Sequence, residues 1–388
     1  MAAPIRSIEA FAVSLPRDVP YLGPLGPGES VNRNGYVVRR GNRTIYPTTD
    51  RSVIVRMTAA DGVVGWGETY GIVAPQAVLA IMRDVLVPFV EGRDAQDAAK
   101  IHDELYDLQR VRGASGGFYG DALAALDIAL WDVASRQAGL PLCEALGGSA
   151  SHAIPAYVSG LPRKTVPERV ELAQAFARRG FRGIKYAAVV SQEGVVEEMR
   201  ALRAALPDAD LMVDLHWRYE PAAAIALARE LAPSRPYFIE APVASEDVDG
   251  LTQVTRHAGL PVAAGEEWHN VHEARLRLAH APLAFVQPEI AHTGVSQFVA
   301  IAALARARGC AVVPHATIGV GIFMAASLHA SVTLGDCPYH EYQHSVFDRN
   351  LEHMDTTMGC EDGHYRLPSG PGLGVVPRGS LARFRTDA

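Results

Sequence analysis

Three carboxylates end apolar stretches of the sequence at equal intervals. They are Asp214, Glu240 and Glu266, and both steps between them are 26 residues. A step of that size is typical of one strand, loop and helix. If the three strands are neighbours in a parallel barrel, the acids meet at one end of it, and hard oxygen ligands suit Mg²⁺ better than zinc. The spacing therefore predicts a Mg²⁺ site, the alternative being three unrelated strand-end acids solvated by loops.

An imidazole accompanies the first of these acids. His216 follows Asp214 by two residues, and on a strand residues i and i+2 point to the same face. We therefore expect both side chains to project together, while Val213, Leu215 and Trp217 face the other way.

Further ionisable residues lie where the other predicted strands end. Burying so many charges without a metal or a function would cost many kcal/mol, so we expect them to share one site. They are Lys185 on strand two, Glu289 on strand six, His315 on strand seven and Glu341 on strand eight.

The composition limits the class of protein. A chain of 388 residues is long enough for two domains. A net charge of −7 argues against nucleic acid as the main partner. The four cysteines have no metal-binding or disulfide spacing, and no apolar run has the length of a membrane span or a signal peptide. We expect a cytoplasmic protein with no membrane partner.

The first part of the chain predicts a small antiparallel sheet. Residues 5–15 and 50–68 alternate as strands, with a hairpin turn at Asp61-Gly62. The long loop between them, residues 17–49, is typical of a functional lid or a surface excursion. It carries Asn34 and Tyr36, which are suited to contacting a polar ligand. Helices are expected over 75–91 and 95–110.

From Asp121 onwards the pattern changes to alternating helices and strands. Asp121 is the expected cap of a helix that ends at Gly139. Eight strands with helices between them predict a closed parallel barrel. The runner-up, an open doubly wound sheet, would need a glycine-rich phosphate-binding turn that the sequence lacks. The predicted strands are 154–160, 183–189, 211–217, 237–242, 261–266, 284–290, 311–316 and 339–342, and the predicted helices include 166–179, 193–205, 221–231, 294–308 and 320–333.

These motifs resemble the enolase superfamily, specifically its mandelate racemase subgroup. The resemblance rests on the helix segment 124–132, on the pairs Val213-Asp214, Ile239-Glu240 and Gly265-Glu266 at the metal-ligand positions, and on the C-terminal segment 370–375. It implies an α/β protein with an N-terminal α+β capping domain over residues 1–122, a (β/α)7β modified TIM barrel over 123–358, and a segment over 359–388 that returns to the cap. It also implies Mg²⁺-assisted removal of the proton α to a carboxylate, an enediolate, and a homo-oligomer, commonly a dimer or octamer.

The resemblance also assigns roles to the strand-end residues. His315 is the expected base, paired with Glu289, and Glu341 matches an acid that binds the substrate carboxylate. Lys185 matches the first lysine of the racemases' Lys-x-Lys pair, whereas Ala187 stands in place of the second.

The position of His216 resembles that in acid-sugar dehydratases, where it would protonate a departing β-hydroxyl. We therefore expect a dehydratase acting on a small sugar acid, an aldonate or an aldarate. The alternatives are an epimerase, racemase or cycloisomerase with Lys185 as opposing base, and a non-catalytic protein on the same fold.

Residues in the loops are further candidates for substrate contact. Tyr70 lies where a capping loop of the family contacts its ligand, and Trp268 follows strand five. His269, His292 and Thr293 could also touch substrate. Together with Asn34 and Tyr36 from the long loop, Tyr70 and Trp268 complete the predicted binding residues.

Overall fold

A small antiparallel sheet opens the chain in the computed structural model, which describes residues 3–149, 153–190, 194–315 and 319–386. Its three strands are Ile5–Pro16, Thr49–Ala59 and Val64–Tyr70, with the second strand in the middle. The hairpin turn at Asp61-Gly62 is confirmed. Two predicted boundaries, residue 193 at a helix start and residue 316 at a strand end, lie outside the described residues.

The excursion between the first two cap strands is held by its own polar contacts. It contains a pair of antiparallel strands, Tyr36–Val38 and Ile45–Pro47. The buried guanidinium of Arg39 forms an ion pair with Glu29 at 2.7 Å and donates to backbone carbonyls in the preceding turn. An arginine satisfied in this way fixes the path of the loop.

The cap helices pack against one face of the sheet. The long helix among them begins at Gly117, one turn earlier than predicted, so that Asp121 is not its cap but a buried residue within it. Gly139, at φ 70°, ends it as predicted. The expected domain boundary at residues 122 and 123 falls inside this helix. The helical segments are Pro75–Ile81, Met82–Leu86 (a π-helical turn), Val87–Val90, Ala98–Arg110 and Gly117–Ala138.

Within the described part of the chain, eight strands with seven intervening helices form the predicted parallel barrel. Strands one to seven are hydrogen-bonded in chain order, and strand eight pairs with strand one. The amide of Glu341 donates to the carbonyl of Pro314 at 3.2 Å and so links strand eight to strand seven. The strands are Ile154–Ser159, Gly183–Ala187, Asp210–Asp214, Phe238–Glu240, Val262–Ala264, Phe285–Val286, Ala311–Val312 and His340–Tyr342; the helices are Val166–Arg178, Val195–Ala205, Pro221–Leu231, Val248–His257, Val271–Leu278, Ile290–Ala307 and Ile322–Ser331.

Most barrel strands end earlier than the sequence pattern predicts. Strand three stops at Asp214, and the two residues that begin the following turn, His216 and Trp217, have φ values of 51° and 52°. The expectation that Trp217 points away from Asp214 is therefore wrong, because strand alternation does not apply beyond the last ladder residue. Both His216 and Trp217 line the same cavity as Asp214.

The segment after the barrel runs back along strand one to the cap. His364–Arg366 pairs antiparallel with strand one, and Val375–Pro377 pairs with Met354–Thr356. The amide of Thr386 then donates to the carbonyl of Ala12 in the first cap strand at 3.0 Å. The C-terminal segment thus ties the two parts of the chain together.

One barrel helix, Ile290–Ala307, is long and apolar enough to span a membrane by length and composition alone. Half of that window is buried inside the protein, and the helix packs against the long cap helix Gly117–Ala138. Its apolar character is that of a core helix.

A carboxylate of the cap holds the helix that follows the strand of His315. Glu68 is fully buried and accepts hydrogen bonds from the amides of Val320, Ile322 and Phe323 at 2.6, 2.9 and 3.1 Å. It also accepts one from the hydroxyl of Ser52 at 2.6 Å. These amides begin a helix and have no partner within it, so the cap supplies what the barrel helix lacks.

We predict that Glu68→Ala lowers the free energy of unfolding by about 3 kcal/mol or more, because three buried amides lose a charged acceptor. Glu104→Ala is the matched control, since Glu104 is half-exposed and its ion-pair partners among the described residues, Arg93 and Lys100, lie at the surface. It should change stability by less than about 1 kcal/mol. Denaturant unfolding measures both, and equal losses would contradict this account of Glu68.

Candidate active site at the C-terminal ends of the barrel strands

A cavity of about 720 Å³ lies between the barrel and the cap excursion. Its size is that of a small-molecule site. Strand-end side chains line it from the barrel, and residues from the excursion line it from the cap. The predicted site residues among its lining are Lys185, Asp214, His216, Glu266, His315 and Glu341, together with Tyr70 from the cap.

Lys185 is clamped between two buried carboxylates. Its ammonium lies 2.8 Å from both oxygens of Glu240 and 3.1 Å from Glu341, and the lysine is 3% exposed. Although burial works against the charged form, these two carboxylates raise the pKa of Lys185 well above its usual value. The lysine is therefore held in its protonated, hydrogen-bonded form.

The three predicted metal ligands project from neighbouring strands. Burial and the negative charges of Asp214 and Glu266 raise the pKa of Glu240, against the opposing effect of Lys185. One oxygen of Glu266 lies 3.0 Å from His315 Nε2 without hydrogen-bond geometry, and it has no other hydrogen-bond partner among the described residues. Hard oxygen donors that exceed the nearby positive charge fit a divalent cation such as Mg²⁺.

Three residues other than the predicted metal ligands also form a cluster that could bind a metal ion. One ligand atom each from Asp121, His269 and His292 falls within 4.8 Å of the others. His292 Nδ1 lies 2.6 Å from Asp121 Oδ1, which is the length of a charge-assisted hydrogen bond. His269 Nε2 lies 3.4 Å from the same oxygen. The short contact favours proton sharing within the group.

His315 is held by a carboxylate on one side and faces the cavity on the other. Its Nδ1 lies 2.7 Å from Glu289 Oε2, and that oxygen also accepts a hydrogen bond from the Tyr70 hydroxyl at 2.8 Å. The other Glu289 oxygen accepts the amide of Ala291 at 2.9 Å. Glutamate is thus accommodated as the partner of His315, and its fixed orientation leaves Nε2 for chemistry.

His216 lies in the turn after strand three, across the barrel from His315, which follows strand seven. Its backbone amide donates to Asp214 Oδ1 at 2.8 Å, and its Nδ1 lies 3.1 Å from Asp214 Oδ2. Burial opposes the charged imidazole, but the Asp214 carboxylate outweighs it and raises the pKa of His216. The two imidazoles therefore approach the cavity from different sectors.

Three predicted binding residues do not line the cavity. Trp268 is fully buried in the barrel core, where its Nε1 donates to Glu267 at 3.2 Å. Asn34 is exposed, and Tyr36 accepts the amide of Ala74 at 3.0 Å. These expectations are corrected: Trp268 packs inwards as a large apolar ring, and Asn34 and Tyr36 sit in the outer part of the excursion. Tyr70 lines the cavity as expected.

Tyr46 also lines the cavity from the cap, although the sequence pattern does not predict it as a site residue. Burial and the charges of Asp214 and Glu266 raise its pKa to about 12. Its ring lies 5.9 Å from that of Tyr21, another cavity residue. The short strand Ile45–Pro47 carries no sequence signal for this position, because only the fold of the excursion brings it over the barrel.

Two family models match most of the chain. The model described as "Enolase C-terminal domain-like" matches residues 168–381, more than half of the sequence. The chain belongs to the enolase superfamily. The model of the mandelate racemase and muconate lactonizing enzyme N-terminal domain matches residues 43–147, which identifies the subgroup.

Relatives within the superfamily differ in activity. D-galactarolactone cycloisomerase of Agrobacterium fabrum is 30% identical over 350 residues, covering 86% of this chain and 91% of that protein. D-galactonate dehydratase of Verminephrobacter eiseniae is 29% identical over 362 residues, covering 88% and 93%. This superfamily enzyme therefore has both dehydratases and cycloisomerases among its relatives.

Solved structures share the whole fold. A member of the enolase superfamily from Agrobacterium tumefaciens is 51% identical, with a TM-score of 0.97 over 100% of both chains. A racemase from Streptomyces coelicolor A3(2), 25% identical with a TM-score of 0.84 over 98% of this chain and 100% of that one, was crystallised with bound magnesium.

We predict that Lys185→Met lowers the free energy of unfolding by about 3–5 kcal/mol, because Glu240 and Glu341 are left as buried, unpaired charges. Lys100→Met is the matched control, since Lys100 is exposed and lies 4.0 Å from its only ion-pair partner among the described residues. Its effect should stay within about 0.5 kcal/mol. A Lys185 variant as stable as the control would mean that the clamp is not needed for folding.

Proposed function

We propose that the protein is a Mg²⁺-dependent dehydratase of a sugar acid, an aldonate or an aldarate, which forms a 2-keto-3-deoxy acid. The observation that carries this proposal is the placement of two imidazoles on different sectors of one cavity. His315 is oriented by Glu289, and His216 is oriented by Asp214. Dehydration needs one base and one acid, and this pair supplies both.

The base in this proposal is His315. Its Nδ1 is engaged by Glu289, so that Nε2 removes the proton from the carbon next to the substrate carboxylate. Tyr70 fixes the same Glu289 oxygen and thereby the plane of the imidazole. The contact between Nε2 and Glu266 shows how near this nitrogen lies to the proposed metal ligands.

Asp214, Glu240 and Glu266 would hold the Mg²⁺ ion. When bound, a divalent cation offsets the negative charge that develops on the substrate carboxylate as the α-proton leaves. Lys185 holds Glu240 and Glu341 in place through its ion pairs with both carboxylates. Glu341 is proposed to orient the substrate carboxylate, since it lies beside both Lys185 and His315.

The acid in this proposal is His216. Donation from its ring to the β-hydroxyl lets that group depart as water, which completes the elimination. Racemisation would instead need a second base opposite His315. Ala187 occupies the position of the racemases' second lysine, and Lys185 is engaged by two carboxylates. The arrangement therefore favours elimination over racemisation.

A cycloisomerase of a sugar-acid lactone is the second candidate. It is favoured by the similarity to D-galactarolactone cycloisomerase, which exceeds slightly that to the dehydratases. Such a reaction rearranges the substrate without losing water. It would use the same base and the same metal ligands, so the product distinguishes the two candidates.

The test is a screen of aldonates, aldarates and aldarolactones with the Mg²⁺-loaded protein, read by mass spectrometry. We expect a keto acid that is one water lighter than an aldonate or aldarate substrate. Turnover of lactones alone, with unchanged mass, would favour the cycloisomerase. Exchange of the α-proton in D₂O without either product would favour an epimerase, and Lys185→Ala should then remove the exchange.

We predict that His315→Asn lowers kcat for the dehydrated acid by about 10²–10⁴, the usual contribution of a general base. His272→Asn is the matched control, because its ring packs on Tyr106 and does not line the cavity. Steady-state assays of keto-acid formation measure both. A His315 variant that kept full activity would remove His315 from the mechanism.

Metal removal should abolish turnover, and Mg²⁺ should restore it. Saturating Mg²⁺ at about 100 times its Kd should also stabilise the folded protein by about 2.7 kcal/mol. This stabilisation is measured as a rise in the thermal unfolding temperature when Mg²⁺ is added. The Asp214→Asn variant should lose most of that rise, whereas Asp103→Asn, at an exposed carboxylate, should keep it. A shift that survives Asp214→Asn would place the ion elsewhere.

A cytoplasmic location and a homo-oligomeric state stay predictions.

A further inference from the structure

A third imidazole–carboxylate pair, after those of His315 and His216, lines the same cavity. His292 follows strand six by a few residues, and Asp121 lies within the long cap helix. Their contact, 2.6 Å from Nδ1 to Oδ1, joins positions 171 residues apart. Since Nδ1 is committed to Asp121, Nε2 is the nitrogen of His292 that remains for a ligand.

The surroundings of this pair are shaped to hold it. The ring of His269 packs against the cap helix, where a Cβ added at Gly120 would lie 2.4 Å from His269 Cδ2. A glycine inside a helix destabilises it by up to about 1 kcal/mol relative to alanine, and here it makes room for the ring. His269 then lies 3.4 Å from Asp121 and 4.8 Å, ring to ring, from His292.

The pair stands next to the proposed base. The ring of His292 lies 4.9 Å from the ring of Tyr70, and Tyr70 donates to the Glu289 oxygen that also holds His315. Burial opposes the charged imidazole, but Asp121 outweighs it and raises the pKa of His292. The pair thus places an imidazole on the same side of the cavity as His315, beside a carboxylate that favours its protonated form.

The proposed dehydration requires one more proton than His216 supplies. His315 takes the proton from the α-carbon, and the departing β-hydroxyl takes one from His216 and leaves as water. The enol that results becomes the keto acid when its β-carbon gains a proton and its hydroxyl loses one to solvent. The protons therefore balance if a second residue donates a proton to the β-carbon.

We propose that His292, held by Asp121 and His269, delivers the proton to the β-carbon of the enol and so determines which face of that carbon is protonated. This inference rests on the proposed dehydratase function. Nδ1–H is retained by Asp121, the proton on Nε2 is transferred to carbon, and solvent restores it. The enol is thereby converted to the keto acid before release.

The test is the reaction in D₂O with the aldonate or aldarate that the wild-type enzyme dehydrates fastest in the screen above. The β-carbon of the product is observed by NMR. We expect wild type to place deuterium in one of the two β-positions. His292→Asn and Asp121→Asn should give both positions in near-equal amounts, because the enol is released and becomes the ketone in water. His272→Asn should match wild type.

A stereospecific product from His292→Asn, or a mixture already from wild type, would overturn the assignment of His292. Failure of the wild type to form any keto acid would instead overturn the proposed function. His292→Gln serves as a second variant, and the thermal transition of each variant establishes that it is folded before its product is analysed.

Discussion

The balance between buried negative and positive charges at the C-terminal end of the barrel constrains which side chains can lie there. Asp214, Glu240, Glu266 and Glu341 are all buried or nearly so, and Lys185 is the cation placed among them. Buried carboxylates repel one another strongly where water is scarce, so they stay together only if positive charge is supplied. The imidazoles on either side supply part of it, and the same need makes the place suited to a divalent ion.

The cap completes the site in two ways. Tyr46 and neighbouring residues of the excursion close the cavity above the carboxylates, where excluding water strengthens each electrostatic contact. Glu68 fixes the start of the helix that follows the strand of His315. Tyr70, next but one to it in sequence, binds Glu289. One cap strand thereby positions both the loop and the partner of the proposed base.

The fold was accessible from the sequence to the extent that local periodicity encodes it. Strand and helix alternation predicted the closed barrel, and Gly139 ended the long helix where its left-handed φ allows. The start of that helix was misplaced, because Asp121 is a good helix cap in sequence but is engaged by His292 in the structure. The strands were predicted too long because the residues that follow them continue the strand-like sequence pattern. In strand three, for example, only the structure shows that the chain turns at His216.

For the site, the sequence by itself determined which ionisable residues gather at one end of the barrel: Asp214, Glu240 and Glu266 through their equal spacing, and His315 through its position near the end of a predicted strand. Only the tertiary structure decided what each one faces. It buried Trp268 in the core, clamped Lys185 between two acids, and brought His292 to Asp121 across 171 residues. The spacing of residues reflects the length of one strand-and-helix unit. These contacts instead depend on how units far apart in the sequence pack together, and a local sequence pattern does not encode that packing.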